Sequence, residues 1–177
     1  MPDSGTAMLS VFVERDVETE ASVEAAATYG YWLSLRPERA AMPRWRDFDW
    51  MQIPLYMICC CGVVDVVGGD DEFVYRFWGT QHLSMHRQEM TNRSIHEMRP
   101  SAVRDVILDQ YRIVRDAAEP RLFTSTYRSR LASTVAREYS LRLPFSDDGK
   151  TVTQIFAFSD ILRDFNKARK ICQSWDS

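Results

Sequence analysis

The chain has 177 residues, of which 45% are hydrophobic and 27% charged, and its formal net charge is -3. These values are typical of one globular domain and exclude a long disordered tract. Basic residues alternate with acidic ones, which argues against nucleic acid as a partner. No apolar run reaches the roughly 20 residues of a membrane-spanning helix, and the acidic N-terminus does not resemble a secretion signal. We therefore expect a cytoplasmic protein without a membrane partner.

Residues 1–20 are predicted to be a leader of mixed charge, and residues 21–177 a single domain. Apolar residues at helical spacing predict an N-terminal helix over residues 21–36, which ends before Pro37. Tyr31 and Trp32 give this helix a large aromatic surface, suited to docking on a sheet of the same chain or on a second copy.

A β-hairpin is predicted next. Residues 57–67 are rich in Val, Ile and Cys, as a strand is, and residues 68–71 have the Gly-Gly-Asp-Asp composition of a turn. Residues 72–78 alternate as a second strand, with Phe73, Tyr75 and Phe77 on one face.

Helices then separate this hairpin from three later strands. Short helical turns are predicted over residues 81–100 and a longer helix over 101–118. The later strands are predicted at 122–130, 135–145 and 151–158, and a C-terminal helix at about 160–172. This order predicts an α+β fold with one five-stranded antiparallel sheet, flanking helices, and a core over about residues 53–160.

Several short motifs, in this order, resemble a family of compact bacterial PAS-like proteins in which the PAS domain makes up nearly the whole chain. The resemblance runs from about Ala27 to Ile161. Its motifs are Trp32 with Leu35-Arg36 and Arg39, Met42-Pro43-Arg44, Asp47-Phe48-Asp49, Ile53-Pro54, the run from Phe73 to Thr80, Thr91-Asn92-Arg93, Leu143-Pro144-Phe145 and Asp148-Gly149.

The chain departs from that family at two turns. Asn92 stands where the family tends to have glycine, and Arg87 or Gln88 replaces another glycine. Asparagine tolerates the left-handed backbone better than most residues, so we expect the turn at Asn92 to be kept.

The resemblance implies a cavity between the inner face of the sheet and its helices, together with dimerisation through the N-terminal helix and the outer face. The candidates for binding a small apolar ligand are Tyr75, Phe77, His82, Met85, Met98, Ile107, Tyr111, Leu141, Leu143 and Phe156. The first strand is apolar on both faces, so a helix of the same chain or of a partner must cover the second face. The candidates for a homodimer interface are Tyr31, Trp32, Cys59, Cys61 and Val63.

Three further sequence patterns do not indicate a functional site. The run from Gly68 to Phe73 is similar to the diguanylate cyclase signature but contains an extra acid, and a turn explains it better. His82 and His86 are four residues apart, as metal or haem ligands can be, yet no accompanying signature is present. No cysteine lies where a flavin photosensor needs one. For the chain as a whole we expect no cofactor, no metal and no catalytic residue.

Arg76 is predicted to form a cross-strand ion pair with Asp65, the alternative being an anion-reading arginine at a dimer face. For the whole chain we expect a non-enzymatic sensory or signal-transduction domain that binds a small ligand or a regulatory protein partner as a dimer. Two alternatives stay open: a cavity-type α+β enzyme of the isomerase or dehydratase kind, and a ligand-free interaction adaptor.

Overall fold

The structure, a computed structural model, describes residues 11–128, 135–161 and 164–173. Six strands form one antiparallel sheet in the order β1-β4-β5-β6-β2-β3. They are β1 (Val11–Arg15), β2 (Cys61–Val66), β3 (Phe73–Trp78), β4 (Arg121–Arg128), β5 (Val135–Phe145) and β6 (Gln154–Asp160). The helices are α1 (Val23–Leu35), α2 (Leu55–Ile58), α3 (Thr80–His86), α4 (Ser101–Ala117) and α5 (Phe165–Gln173). Within the described residues, none of these helices has the length and apolarity to cross a membrane.

The early hairpin and the late strands belong to the same sheet. β2 pairs with β3 on one side and with β6 on the other, where Cys61 lies opposite Phe158 and Gly62 opposite Ala157. The predicted α+β fold, with one antiparallel sheet and flanking helices, is therefore confirmed.

Different parts of the chain cover the two faces of the sheet. On the N-terminal face, which α1 and residues 45–52 cover, the Trp32 indole nitrogen donates to the Pro144 carbonyl at 2.8 Å. Trp45 packs edge-on against Phe145 on the same face, with ring centroids 5.2 Å apart. On the helical face, which α3 and α4 cover, Tyr111 of α4 lies beside Phe73. The chain itself thus supplies the cover that the apolar first strand requires.

The sheet has six strands where the sequence predicts five. β1 lies within the predicted leader and pairs with β4, with Val11 opposite Thr126. Phe12 anchors it by packing edge-on against Phe123 at 5.4 Å. Five residues of mixed charge are too short to show a strand period, so the prediction of a leader is wrong for 11–15, while 1–10 lie outside the described residues.

The first predicted strand begins too early. Residues 55–58 form the short helix α2, and β2 starts only at Cys61. Pro54 precedes α2, and proline is well tolerated where a helix starts. A register shift between Val63 and Val64 marks a β-bulge in the β2–β3 pair. Because of it, Tyr75 and Phe77 lie on opposite faces, and the prediction that they share one is wrong.

The ends of the last two elements are also shifted. β6 runs over Gln154–Asp160 and α5 over Phe165–Gln173, so the strand ends later and the helix starts later than predicted. The predicted bounds of β5 are confirmed, and α1 begins at Val23 with Ser22 as its N-cap. Residues 129–130 of the predicted strand over 122–130 lie outside the described part of the chain.

Both positions where the chain departs from the family's glycines have left-handed backbone. Asn92 has φ of 63°, which confirms the prediction for that turn, and Arg87 has φ of 52° as the C-cap of α3. Arginine has no special tolerance for this conformation, so the end of α3 is held by its surroundings rather than by its own preference.

Ion pairs fix the outer hairpin at two places. The predicted pair of Arg76 with Asp65 is confirmed, with a shortest nitrogen–oxygen distance of 2.8 Å. Glu72, in the turn between β2 and β3, accepts hydrogen bonds from Arg112 and Arg115 of α4. The Arg112 guanidinium beside it lowers the pKa of the Glu72 carboxyl to about 2. The turn with the Gly-Gly-Asp-Asp sequence is therefore tied to a helix and has a structural role.

We expect Gly79→Ala to destabilise the protein by about 1–3 kcal/mol, because the start of α3 lies directly on the backbone of residues 59–61. A Cβ atom at Gly79 would stand 2.3 Å from the Cys59 carbonyl oxygen and 2.7 Å from that of Cys61. Gly68→Ala is the matched control, because no atom lies within 4 Å there. Urea unfolding measures both, and equal stability of the two variants would contradict the prediction.

Candidate functional site

A small cavity of about 20 Å³ lies between the helical face of the sheet, α3 and α4. This volume is enough for one water-sized group. Small residues of β2 and β6 leave the space, because Gly62 and Ala157 face each other across the strand pair. The cavity is lined by Gly62, Tyr75, Trp78, His82, His86, Ile107, Tyr111, Glu138, Arg142, Ala157 and Ser159.

The guanidinium of Arg142 is the most unusual group in this lining, because it is charged and only 4% exposed. Its Nη2 donates to the Gln110 side-chain oxygen at 2.9 Å and its Nη1 to the Tyr111 hydroxyl at 3.2 Å. The guanidinium carbon also lies 4.4 Å from the centre of the Tyr111 ring. The Nε atom is buried without a hydrogen-bond partner among the described residues. A buried donor of this kind is costly unless something accepts from it.

Neighbouring polar groups hold these side chains in place. Gln110 donates from its nitrogen to the Ser125 hydroxyl at 3.1 Å, which fixes which side of the amide faces Arg142. Glu138, also on β5, accepts from the Ser140 hydroxyl at 3.0 Å. Glu138, Ser140 and Arg142 occupy alternate positions of β5 and therefore point to the same face. The helical face of this strand is thus polar and buried.

Aromatic rings form the apolar part of the cavity. The Tyr75 and Trp78 ring centroids are 4.7 Å apart, and those of Tyr75 and Tyr111 are 6.3 Å apart. Burial, followed by the nearby Tyr111, raises the pKa of Tyr75 well above its usual value. The Tyr75 phenol therefore offers a neutral hydroxyl group.

His82 closes the cavity on the side of α3. Its Nε2 donates to the Cys60 carbonyl at 3.1 Å, and its ring lies 4.6 Å from that of Trp78. Burial, together with the nearby His86, lowers the pKa of His82 to about 4. The side chain is therefore neutral at physiological pH, with one nitrogen committed to the backbone.

The structure places four of the ten predicted ligand residues at the cavity: Tyr75, His82, Ile107 and Tyr111. Leu141, Leu143 and Phe156 lie on the opposite, N-terminal face, and the bulge sends Phe77 there as well. Met85 packs in a separate cluster with Ala136, Ile161 and Ile171. Met98 is buried in the main core and does not line the cavity.

Sequence reasoning missed the polar half of the site: Gln110, Glu138, Ser140 and Arg142. The alternation over 138–145 does contain the signal, since apolar and polar residues take turns. Exposed strands usually show the same pattern. Here both sets are buried, so the polar set faces the interior on the other side of the sheet.

Three of the five predicted dimer residues are occupied within the chain. Trp32, Cys61 and Val63 are buried within the chain. Their part in a dimer interface stays a prediction. Tyr31 and Cys59 are partly exposed.

Among the described residues, no group of three metal-binding side chains is close enough to hold a metal ion. Burial, followed by the neighbouring Cys59, raises the pKa of the Cys60 thiol to about 12.

We expect His82 to make stability depend on pH between 6.5 and 4. The unfolded chain protonates this residue below its usual pKa of about 6.5, whereas the folded chain does so only near 4. Stability is therefore lost as the pH falls through this range, by about 2–3 kcal/mol between pH 7 and pH 4.5.

The variant His82→Phe, which keeps a flat ring against Trp78, should lose that part of the pH dependence. His96→Phe is the control, because His96 lies outside the cavity lining. Urea unfolding at pH 7 and pH 4.5 measures the difference. The same decrease in stability for His82→Phe and for the parent chain would show that His82 does not titrate in this way.

Comparison with known proteins gives few matches. No protein family and no curated protein matches the sequence. Among solved structures, the chain is similar to one described as "Structure of an RNA-binding Light-Oxygen-Voltage Receptor", with 11% identity and a TM-score of 0.43. The match covers 93% of this chain and 42% of the receptor chain, so this chain spans less than half of the receptor's length.

Proposed function

We propose that the chain is a non-enzymatic sensory domain that binds a small ligand at the helical face of its sheet and acts as a homodimer. The observation that carries the proposal is Arg142: a buried cation beside a cavity, with one donor unused among the described residues. Groups of this kind are costly in a core that only has to be stable. The polar lining favours a ligand that accepts hydrogen bonds over the apolar ligand expected from the sequence.

The enzyme alternative has less support. An acid–base mechanism needs a group that exchanges protons near neutral pH, and the pKa of His82 is about 4. Its Nε2 is also committed to the Cys60 carbonyl. Moreover, a cavity of about 20 Å³ is too small for a substrate of metabolite size.

The dimer part of the proposal concerns an exposed apolar patch, formed by Met51, Leu55 and Tyr56. Met51 is 82% exposed and Leu55 is 81% exposed. The two predicted interface residues that remain partly exposed form hydrogen bonds with residues 49 and 56. Tyr31 receives a hydrogen bond from the Asp49 backbone at 2.7 Å, and the Cys59 thiol donates to the Tyr56 carbonyl. Adjacent exposed apolar side chains of this kind are typical of interfaces.

Native mass spectrometry of the purified full chain tests the proposal. We expect the mass of a dimer, together with a retained small molecule in a measurable fraction of it. An empty dimer would favour the adaptor alternative. An empty monomer would contradict both parts of the proposal. The regulatory protein partner and the cytoplasmic location remain predictions.

The interface is tested by Leu55→Asp, which places a charge in the exposed apolar patch. We expect the dimer dissociation constant to rise tenfold or more in analytical ultracentrifugation, as for an interface residue worth over 1 kcal/mol. Val23→Asp is the matched control, since Val23 is also 81% exposed but lies on the first turn of α1. Equal dissociation constants for the two variants would exclude this patch as the interface.

A further inference from the structure

We propose that Arg142 binds a small monovalent anion, of the size of chloride or formate, in the cavity on the helical face. This inference rests on the proposed function and specifies the ligand class of the same site. Two groups accept hydrogen bonds from Arg142, the Gln110 amide oxygen and the Tyr111 hydroxyl, and neither is a carboxylate. Arg142 takes part in none of the salt bridges observed between described residues.

The geometry leaves one direction of the guanidinium open. Nη1 and Nη2 are engaged by α4, and the Tyr111 ring lies over the guanidinium carbon at 4.4 Å. The Nε–H, buried and without an acceptor among the described residues, remains for a ligand. An acceptor there completes the hydrogen bonding of Arg142, and a charged acceptor forms a stronger hydrogen bond with the guanidinium than a neutral one does.

The other charged group of the lining limits which anions fit. Glu138 is buried in the same lining and hydrogen-bonds to Ser140 on β5. Its negative charge repels anions, most strongly those with two charges, so the site should discriminate against sulfate. The volume of about 20 Å³ restricts the occupant further, to about the size of one water molecule or slightly more.

The sharpest test is Gln110→Glu, which is nearly isosteric and gives Arg142 a carboxylate of its own. The Ser125 hydroxyl can rotate to donate to the new oxygen, so the local hydrogen bonds can be kept. In gluconate buffer, an anion too large for the cavity, we expect this variant to melt at a higher temperature than the parent chain.

Replacing gluconate by chloride or formate at constant ionic strength should raise the melting temperature of the parent chain saturably. The expected rise is about 3–6 °C at ten times the dissociation constant. Gln110→Glu should show less than a quarter of that rise. Gln52→Glu is the matched control, because it makes the same charge change on the opposite side of the sheet, and it should respond as the parent does.

Two results would overturn the inference: no saturable rise in the parent chain, or an undiminished rise in Gln110→Glu. If that variant does not fold, chloride-35 NMR of the parent chain decides instead, since a bound chloride broadens the line and formate should reverse the broadening. Absence of reversible broadening would then refute the site. A neutral molecule retained in native mass spectrometry, without any anion effect, would refute the anion while leaving the proposed function intact.

Discussion

The antiparallel pairing of β2 with β6 is the interaction on which the helical face depends. It joins the early hairpin to the late strands and sets Gly62 opposite Ala157. Since β5 pairs with β6, Arg142 also lies opposite Ala157. One register therefore brings together the cation, the two small residues that leave a gap, and the aromatic rings of β3. Shifting β6 by one residue would turn Arg142 and Ala157 toward opposite faces.

The hydrophobic period predicted where β5 lies, but not which of its faces meets α3 and α4. The run from Glu138 to Phe145 alternates cleanly and makes up most of β5. Burial is not part of the pattern. Arg142 is buried because α4 supplies Gln110 and Tyr111 as hydrogen-bond partners, and a side-chain partnership across α4 and β5 has no local sequence signal. For this reason only four of the eleven residues that line the cavity were predicted.

Features set by distant partners were missed for the same physical reason. β1 is a strand only because the edge of β4 is free to pair with it, and the bulge in β2–β3 depends on the register of both strands. The backbone conformation of single residues was easier to predict from the sequence. The left-handed turn at Asn92 follows from the tolerance of asparagine for that conformation, which is a property of the residue itself.

β5 contacts the layers that cover both faces of the sheet. Arg142 points to the helical face, and two residues later the Pro144 carbonyl accepts the hydrogen bond of Trp32 from α1. Phe145 then contacts Trp45 in the layer that carries the exposed apolar patch. A change in how Arg142 is held therefore acts on a strand whose other end anchors the N-terminal layer. Because that strand is paired on both sides, a shift of its backbone must also displace its neighbours β4 and β6. The proposed ligand site and the proposed dimer surface thus share one rigid element, which is the physical requirement for one to influence the other.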